Sequence, residues 1–132
     1  MDNVKQVVPL LAVADMERSL RFYVDGLAFV RKHQWVVENR IRWCWLTLGG
    51  ASVMLQEILG GVRGDGGISL WFLCEDAIAI HHEVQARGIE ASEPQVGNGM
   101  WVTTLDDPDG YRINFESPTV VAEETKLSEL AT

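Results

Sequence analysis

Residues 6–26, QVVPLLAVADMERSLRFYVDG, are answered by residues 68–88, ISLWFLCEDAIAIHHEVQARG. Each stretch opens on an apolar strand and turns at an aspartate suited to cap a helix, Asp15 or Asp76. Each then continues with helix-forming sequence and closes near a glycine, Gly26 or Gly88. Pro9 cannot donate to a sheet ladder and marks its strand as an edge or an exchanged arm. After the first stretch come a strand near 28–37, a strand at 41–48 (IRWCWLTL), a Gly49-Gly50 turn and a strand at 51–57 (ASVMLQE). After the second, IEASEPQV, MWVTTL and YRINFE supply the remaining strands. The chain therefore reads as β-α-β-β-β written twice, an internal duplication with a period of about 60 residues. Aligning Asp15 with Asp76 pairs Leu11 with Phe72, Val13 with Cys74, Leu10 with Trp71 and Val8 with Ser69.

The stretch at 59–67, LGGVRGDGG, holds five glycines and reads as a flexible linker. A first module over about 5–58 and a second over about 68–118 follow from the same spacing. The segment from 119 onward, TVVAEETKLSELAT, is acidic and reads as loose or packed on a partner.

With 132 residues, 47% of them hydrophobic and 23% charged, the chain suits one globular domain with a real core. A net charge of −8 argues against nucleic acid, whose phosphates need clustered Lys and Arg. No apolar run is long enough to span a bilayer, and the first residues lack a secretory pattern. Cys44 and Cys74 show no metal-ligand spacing and read as buried, reduced thiols of a cytoplasmic protein.

Alternation along each strand sorts side chains into two faces. Cys44, Leu46 and Leu48 belong with the helices, as do Val53 and Leu55, then Leu70, Phe72 and Cys74, then Ile113 and Phe115. The opposite face receives Trp43, Trp45 and Thr47; Ser52, Met54 and Gln56; Ser69, Trp71 and Leu73; and Arg112, Asn114 and Glu116. Three tryptophans and a methionine among a few polar groups make a small-molecule pocket, although a dimer interface would have a similar composition. Trp35 and Trp101 read as core. Arg112 is expected to pair with Glu116 along its strand.

The duplicated unit, the opening VPLLAVADMERSLRFYVDGLAF and the closing DDPDGYRINFE together resemble the glyoxalase/bleomycin-resistance/dioxygenase (vicinal oxygen chelate) superfamily. The resemblance covers about residues 6–118. Asp15, Ser19, Phe22 and Tyr23 match its Asp-x-x-x-Ser-x-x-Phe-Tyr motif, and VVPLLAVAD is most similar to the opening of bleomycin-resistance proteins. The resemblance implies an α+β fold in which two βαβββ modules curl a mixed sheet around a cleft with helices outside. It also implies a homodimer, often with exchanged modules.

In metal-using members the ligands are typically His, Glu, His and Glu. Carried over, they fall on Val8, near Met54, on Ser69 and on Asn114. None suits a divalent transition metal, which wants imidazole, thiolate or carboxylate. His81 and His82 are neighbours on a helix and point about 100° apart, so they cannot chelate jointly. Glu57 and Glu116 are the carboxylates within reach of the site, as a base or as partners for a cation.

The expectation is metal-independent binding, without a cofactor, of a small planar, hydrophobic, cationic molecule in a tryptophan-lined cleft. Trp43, Trp45, Met54, Gln56, Ser69, Trp71, Asn114 and Glu116 form that site. No catalytic residue is assigned. The alternative implied by the resemblance is a glyoxalase-type metal-dependent lyase, isomerase or dioxygenase.

Overall fold

The computed structural model describes residues 2–60 and 68–130. The chain divides into two compact units, Met1–Val62 and Arg63–Thr132. Residues 61–67 of the expected linker lie outside the described residues.

In the first unit, strand β1 (Leu10–Val13) leads into helix α1 (Met16–Leu20), which runs on as a π-helical turn, Arg21–Gly26. Strands β2 (Val30–Val37), β3 (Arg40–Leu48) and β4 (Ala51–Glu57) follow. The sheet order is β1-β4-β3-β2, with β1 parallel to β4 and the other pairs antiparallel. The second unit repeats the plan. Strand β5 (Ser69–Leu73), helix α2 (Ala77–Ala86) and strands β6 (Gln95–Gly97), β7 (Met100–Asp106) and β8 (Arg112–Pro118) form a sheet of order β5-β8-β7-β6.

The duplication extends to the hydrogen-bond ladders. Leu10 lies opposite Met54 as Trp71 lies opposite Asn114, and Leu11 opposite Leu55 as Phe72 opposite Phe115. At the other edge, Val36 opposite Ile41 matches Val96 opposite Trp101. The α+β class and the tandem βαβββ units expected from the sequence are thus present.

The local causes are the expected ones at most element ends. Asp15 Oδ1 accepts from Arg18 N at 3.2 Å and Asp76 Oδ1 from Ala79 N at 2.9 Å, each satisfying a donor that a helix start leaves orphaned. Gly88 closes α2 at φ +81°, with Ile89 N donating to Val84 O at 2.9 Å. The first helix differs from expectation. After Leu20 it loosens into π geometry, with Leu27 N donating to Phe22 O at 3.0 Å. Tyr23 is wholly buried there, edge-on to both Phe22 and Phe29. The left-handed residue beyond it is Ala28 (φ 67°), not Gly26.

Strand β1 is also shorter than the 6–14 read from sequence, beginning only after Pro9. The proline still contributes its carbonyl, which accepts from Met54 N at 2.8 Å, and β1 is an edge strand as its proline requires.

Alternation sets the cores. Leu11, Val13, Cys44, Leu46, Val53 and Leu55 are buried on the helix side of the first sheet, and Ile113 and Phe115 on that of the second. Each such side chain contributes about 1.5–3 kcal/mol on burial. Leu48, Leu70, Phe72 and Cys74 are only half-buried, so those positions sit shallower than expected. Trp101 is core, packed with Ala77 and Val96, whereas Trp35, also expected in the core, is 58% exposed on β2.

The described part of the acidic segment, residues 119–130, packs on its own unit instead of hanging loose. It lies along β6 of its own unit: Val96 N donates to Thr125 O, Glu124 N to Val96 O and Leu127 N to Pro94 O, each at 2.9 Å. Val121 and Leu127 pack on the Ala77–Val96–Trp101 cluster. No helix among the described residues is long and apolar enough to cross a membrane.

Candidate functional site

The face of the first sheet away from α1 gathers four of the expected site residues. Trp43 lies opposite Gln56 and Trp45 opposite Met54 on β3 and β4, so the four form a compact quadrilateral. All four are half-buried. Half-buried indole on a sheet face leaves ring surface for a ligand while the backbone holds the ring's position. His33 of β2 lies perpendicular to Trp45 with 6.2 Å between ring centres, and Trp35 lies opposite Trp43, extending the aromatic strip to the sheet edge. Neither His33 nor Trp35 was assigned to the site from sequence. Their register with Trp45 and Trp43 was the signal, hidden by one bulge in β2, at Lys32, and one in β3, at Arg42.

The face of the second sheet away from α2 gathers the other four. Ser69 lies opposite Arg112, Trp71 opposite Asn114 and Leu73 opposite Glu116. Trp71 is 55% exposed, and its Nε1 donates to Ser69 Oγ at 2.9 Å. That bond fixes the ring and engages its one donor, with Ser69 Oγ as acceptor.

Asn114 is buried to 2% exposure and is engaged at both ends. Its Nδ2 donates to Leu70 O at 3.4 Å, and its Oδ1 accepts from Thr104 Oγ1 at 2.8 Å. A backbone carbonyl can only accept, so the amide nitrogen must face Leu70 and the Thr104 hydroxyl must donate. Thr104 was absent from the sequence reading. The alternation of MWVTTL gives its face, while its register opposite Asn114 comes only from the strand pairing.

Two electrostatic expectations change. Arg112 Nε lies 3.4 Å from Asp106 Oδ1, across the strand pair, rather than on Glu116. Glu116 makes no ion pair among the described residues and stays half-buried, the one carboxylate the eight residues offer a cation. Glu57 is not at the rim of this face. Alternation places it with Val53 and Leu55 on the helix side, where it is 7% exposed. There its Oε2 accepts from Met16 N at 2.9 Å and its Oε1 from Arg40 Nε at 2.6 Å, with Arg42 Nη1 at 3.5 Å. The Arg40 hydrogen bond is the largest cause holding this carboxyl below its ordinary range. So anchored, Glu57 is a structural anion and not an available base. It also lines a recess of ≈ 410 Å³ with Asp15, Met16, Leu20, Asn39 and Arg40.

The donor set does not fit a divalent metal. Met54 and Ser69 are poor ligands, and Asn114 has both ends of its amide occupied. Among the described residues no three His, Cys, Asp or Glu side chains converge. Burial pushes the Cys44 thiol up to about 11, so it is not a thiolate nucleophile at neutral pH.

The chain belongs to the glyoxalase/bleomycin resistance protein/dioxygenase superfamily, whose model matches residues 4–115. Among solved structures it is similar to the bleomycin-binding protein complexed with bleomycin, at 19% identity and TM-score 0.72 over 86% of this chain and 98% of that one. It is similar to TnmS3, an antibiotic-binding protein from Streptomyces sp. CB03234, at 22% identity and TM-score 0.64 over 87% and 98%. The protein SMU.1112c is similar at 22% identity and TM-score 0.72 over 86% and 99%. At these identities the likeness is one of fold. No curated protein matches the sequence.

Proposed function

We infer that this protein binds a small planar, hydrophobic, cationic molecule against its tryptophan-bearing sheet faces, without a metal. The observation that carries this reading is the Trp43, Trp45, Met54 and Gln56 group, a half-buried aromatic surface with an amide at its side. Indole faces stack on planar groups and attract cations, at about 0.5–2 kcal/mol for each contact. Trp71 offers a further exposed ring, and Glu116 a half-buried carboxylate without an ion pair among the described residues. Two proteins of similar fold, the bleomycin-binding protein and TnmS3, bind antibiotics, which supports the same class of ligand here. The reading includes a homodimer, checked by light scattering, and a cytoplasmic location. The metal-dependent lyase, isomerase or dioxygenase reading would need a converging donor set, and among the described residues no three His, Cys, Asp or Glu side chains supply one.

Tryptophan fluorescence titrated with planar cationic antibiotics of the bleomycin type tests the proposal. Saturable quenching that W45A weakens about tenfold is expected, the loss of roughly one strong ring contact. Absence of quenching up to the solubility limit would remove this ligand class.

A further inference from the structure

The hairpin β2–β3 of the first unit repeats the hairpin β6–β7 of the second, residue for residue at its tip. Val36 opposite Ile41 and Val37 opposite Arg40 correspond to Val96 opposite Trp101 and Gly97 opposite Met100. The two turn residues correspond as well. Glu38 and Asn39 have φ 51° and 62°, Asn98 and Gly99 have φ 51° and 73°, so both turns are left-handed at both central positions.

In the second unit this tip is covered. The segment after β8 lies along it, and Glu123 places its carboxylate on the turn, accepting from Asn98 N and, at 3.0 Å, from Gly99 N. Between that segment and the Ala77 and Trp101 side chains, Val96 is 2% exposed. In the first unit the corresponding Val36 is 46% exposed and its neighbour Trp35 58%. The turn amides of Glu38 and Asn39 meet no acceptor side chain among the described residues. The same hairpin tip thus occurs twice, and among the described residues only the second is covered by a side-chain carboxylate.

We propose that the edge of β2 and the Glu38–Asn39 turn are a docking site for an extended acidic segment of a partner protein. That segment carries a glutamate flanked by apolar residues, the pattern of the chain's own Val121, Glu123 and Leu127. The glutamate accepts from the Glu38 and Asn39 amides, as Glu123 does at the other tip, and the apolar residues cover Val36, the counterpart of Val96. Charge favours such a partner. Arg31 and Lys32 stand on β2 and are exposed, a cationic edge on a chain of net charge −8. A lysine at a bulge of an edge strand, as Lys32 is, opposes regular strand-to-strand aggregation. It does not oppose this mode, since the segment on β6 makes only one bridge pair, Gln95 with Lys126, and otherwise irregular bonds. Glu38 is the one residue of the tip that disfavours an incoming carboxylate, where the second unit has Asn98.

The test is a titration of the ¹⁵N-labelled full chain with a synthetic peptide of residues 119–130, TVVAEETKLSEL, followed by amide shifts. Saturable shifts at Val36, Glu38 and Asn39 are expected. The peptide lacking the carboxylate at its Glu123 position should bind about tenfold more weakly, and E38N should bind the original peptide more tightly. Shifts confined to Val96, Asn98 and Gly99 would mean that the peptide only exchanges with the resident segment, and would overturn the proposal. So would no shifts at all, or shifts at β2 that depend on protein concentration without peptide, which would make a second copy the occupant.

Discussion

At the start of each helix a side chain from the last strand of the same unit accepts a hydrogen bond from the first helical residue. Glu57 takes it from Met16 N and Ser117 from Ala77 N, both at 2.9 Å. One position in one plan is filled by an anion in the first unit and by a hydroxyl in the second. The anion must be neutralised, and Arg40 and Arg42 converge on it. The hydroxyl needs no counter-charge. The second unit instead adds Thr103 Oγ1, donating to Ala77 O at 2.8 Å, and a C-terminal segment packed over Val96 and Trp101. A duplicated fold can therefore keep its ladders while the two copies draw stability from different sources: an ion pair in one, extra covered apolar surface in the other.

The largest effect that would expose this difference is removal of the covered apolar surface. W101A should cost about 3–5 kcal/mol in denaturant-induced unfolding, as for a buried aromatic truncated in a packed core. W35A, at an exposed site, should change stability by less than about 0.5 kcal/mol. Equal costs would show that the two tips are covered alike.

The helix-start pair comes next. E57Q should destabilise by about 1–3 kcal/mol, because it breaks a charge-assisted contact at a buried site, and S117A by about 1 kcal/mol. Only the first should depend on pH. The Glu57 carboxyl is held below its ordinary value of 4.5, chiefly by Arg40, so its contribution is complete above that pH and is lost as pH falls through the depressed value. The gap between the wild-type chain and E57Q should close on acidification below pH 4.5, while the gap to S117A stays constant. Chemical denaturation across that range measures both.

The smallest effect concerns the thiols. Cys44 is buried with its thiol raised to about 11, whereas Cys74 is half-buried and raised to a lesser degree by desolvation. In the native protein at pH 8 a thiol-reactive dye should label Cys74 slowly and Cys44 only on unfolding. Faster labelling of Cys44 would show that the core of the first unit opens more readily than that of the second.

Much of this was legible in the sequence because the signals are local. Asp15, Asp76 and Gly88 act within a turn of their own positions, and alternation put Cys44, Leu46, Ile113 and Phe115 on the correct side. What was not legible depends on partners distant along the chain. Alternation alone would have placed Glu57 beside Leu55 in the core, but a charge there is only sensible once Met16, Arg40 and Arg42 are known to converge on it. The segment at 119–130 has the composition of a solvated tail, yet backbone bonds to β6, which composition does not report, hold it. Asn114 was placed on the correct face but read as free to bind. Its occupation by Thr104 and Leu70 depends on cross-strand register. Bulges at Lys32 of β2 and Arg42 of β3 likewise hid that Trp35 and His33 continue the strip begun by Trp43 and Trp45.

The central claim is that aromatic surface, and not a metal, holds the ligand. Calorimetric titration of chelator-treated protein with a planar cationic antibiotic tests it most directly, run beside W43A/W45A with the folded state of each checked by circular dichroism. The account predicts saturable binding that chelator leaves unchanged and that the double substitution weakens at least tenfold. Binding that requires an added divalent metal, or that survives loss of both tryptophans, would contradict it.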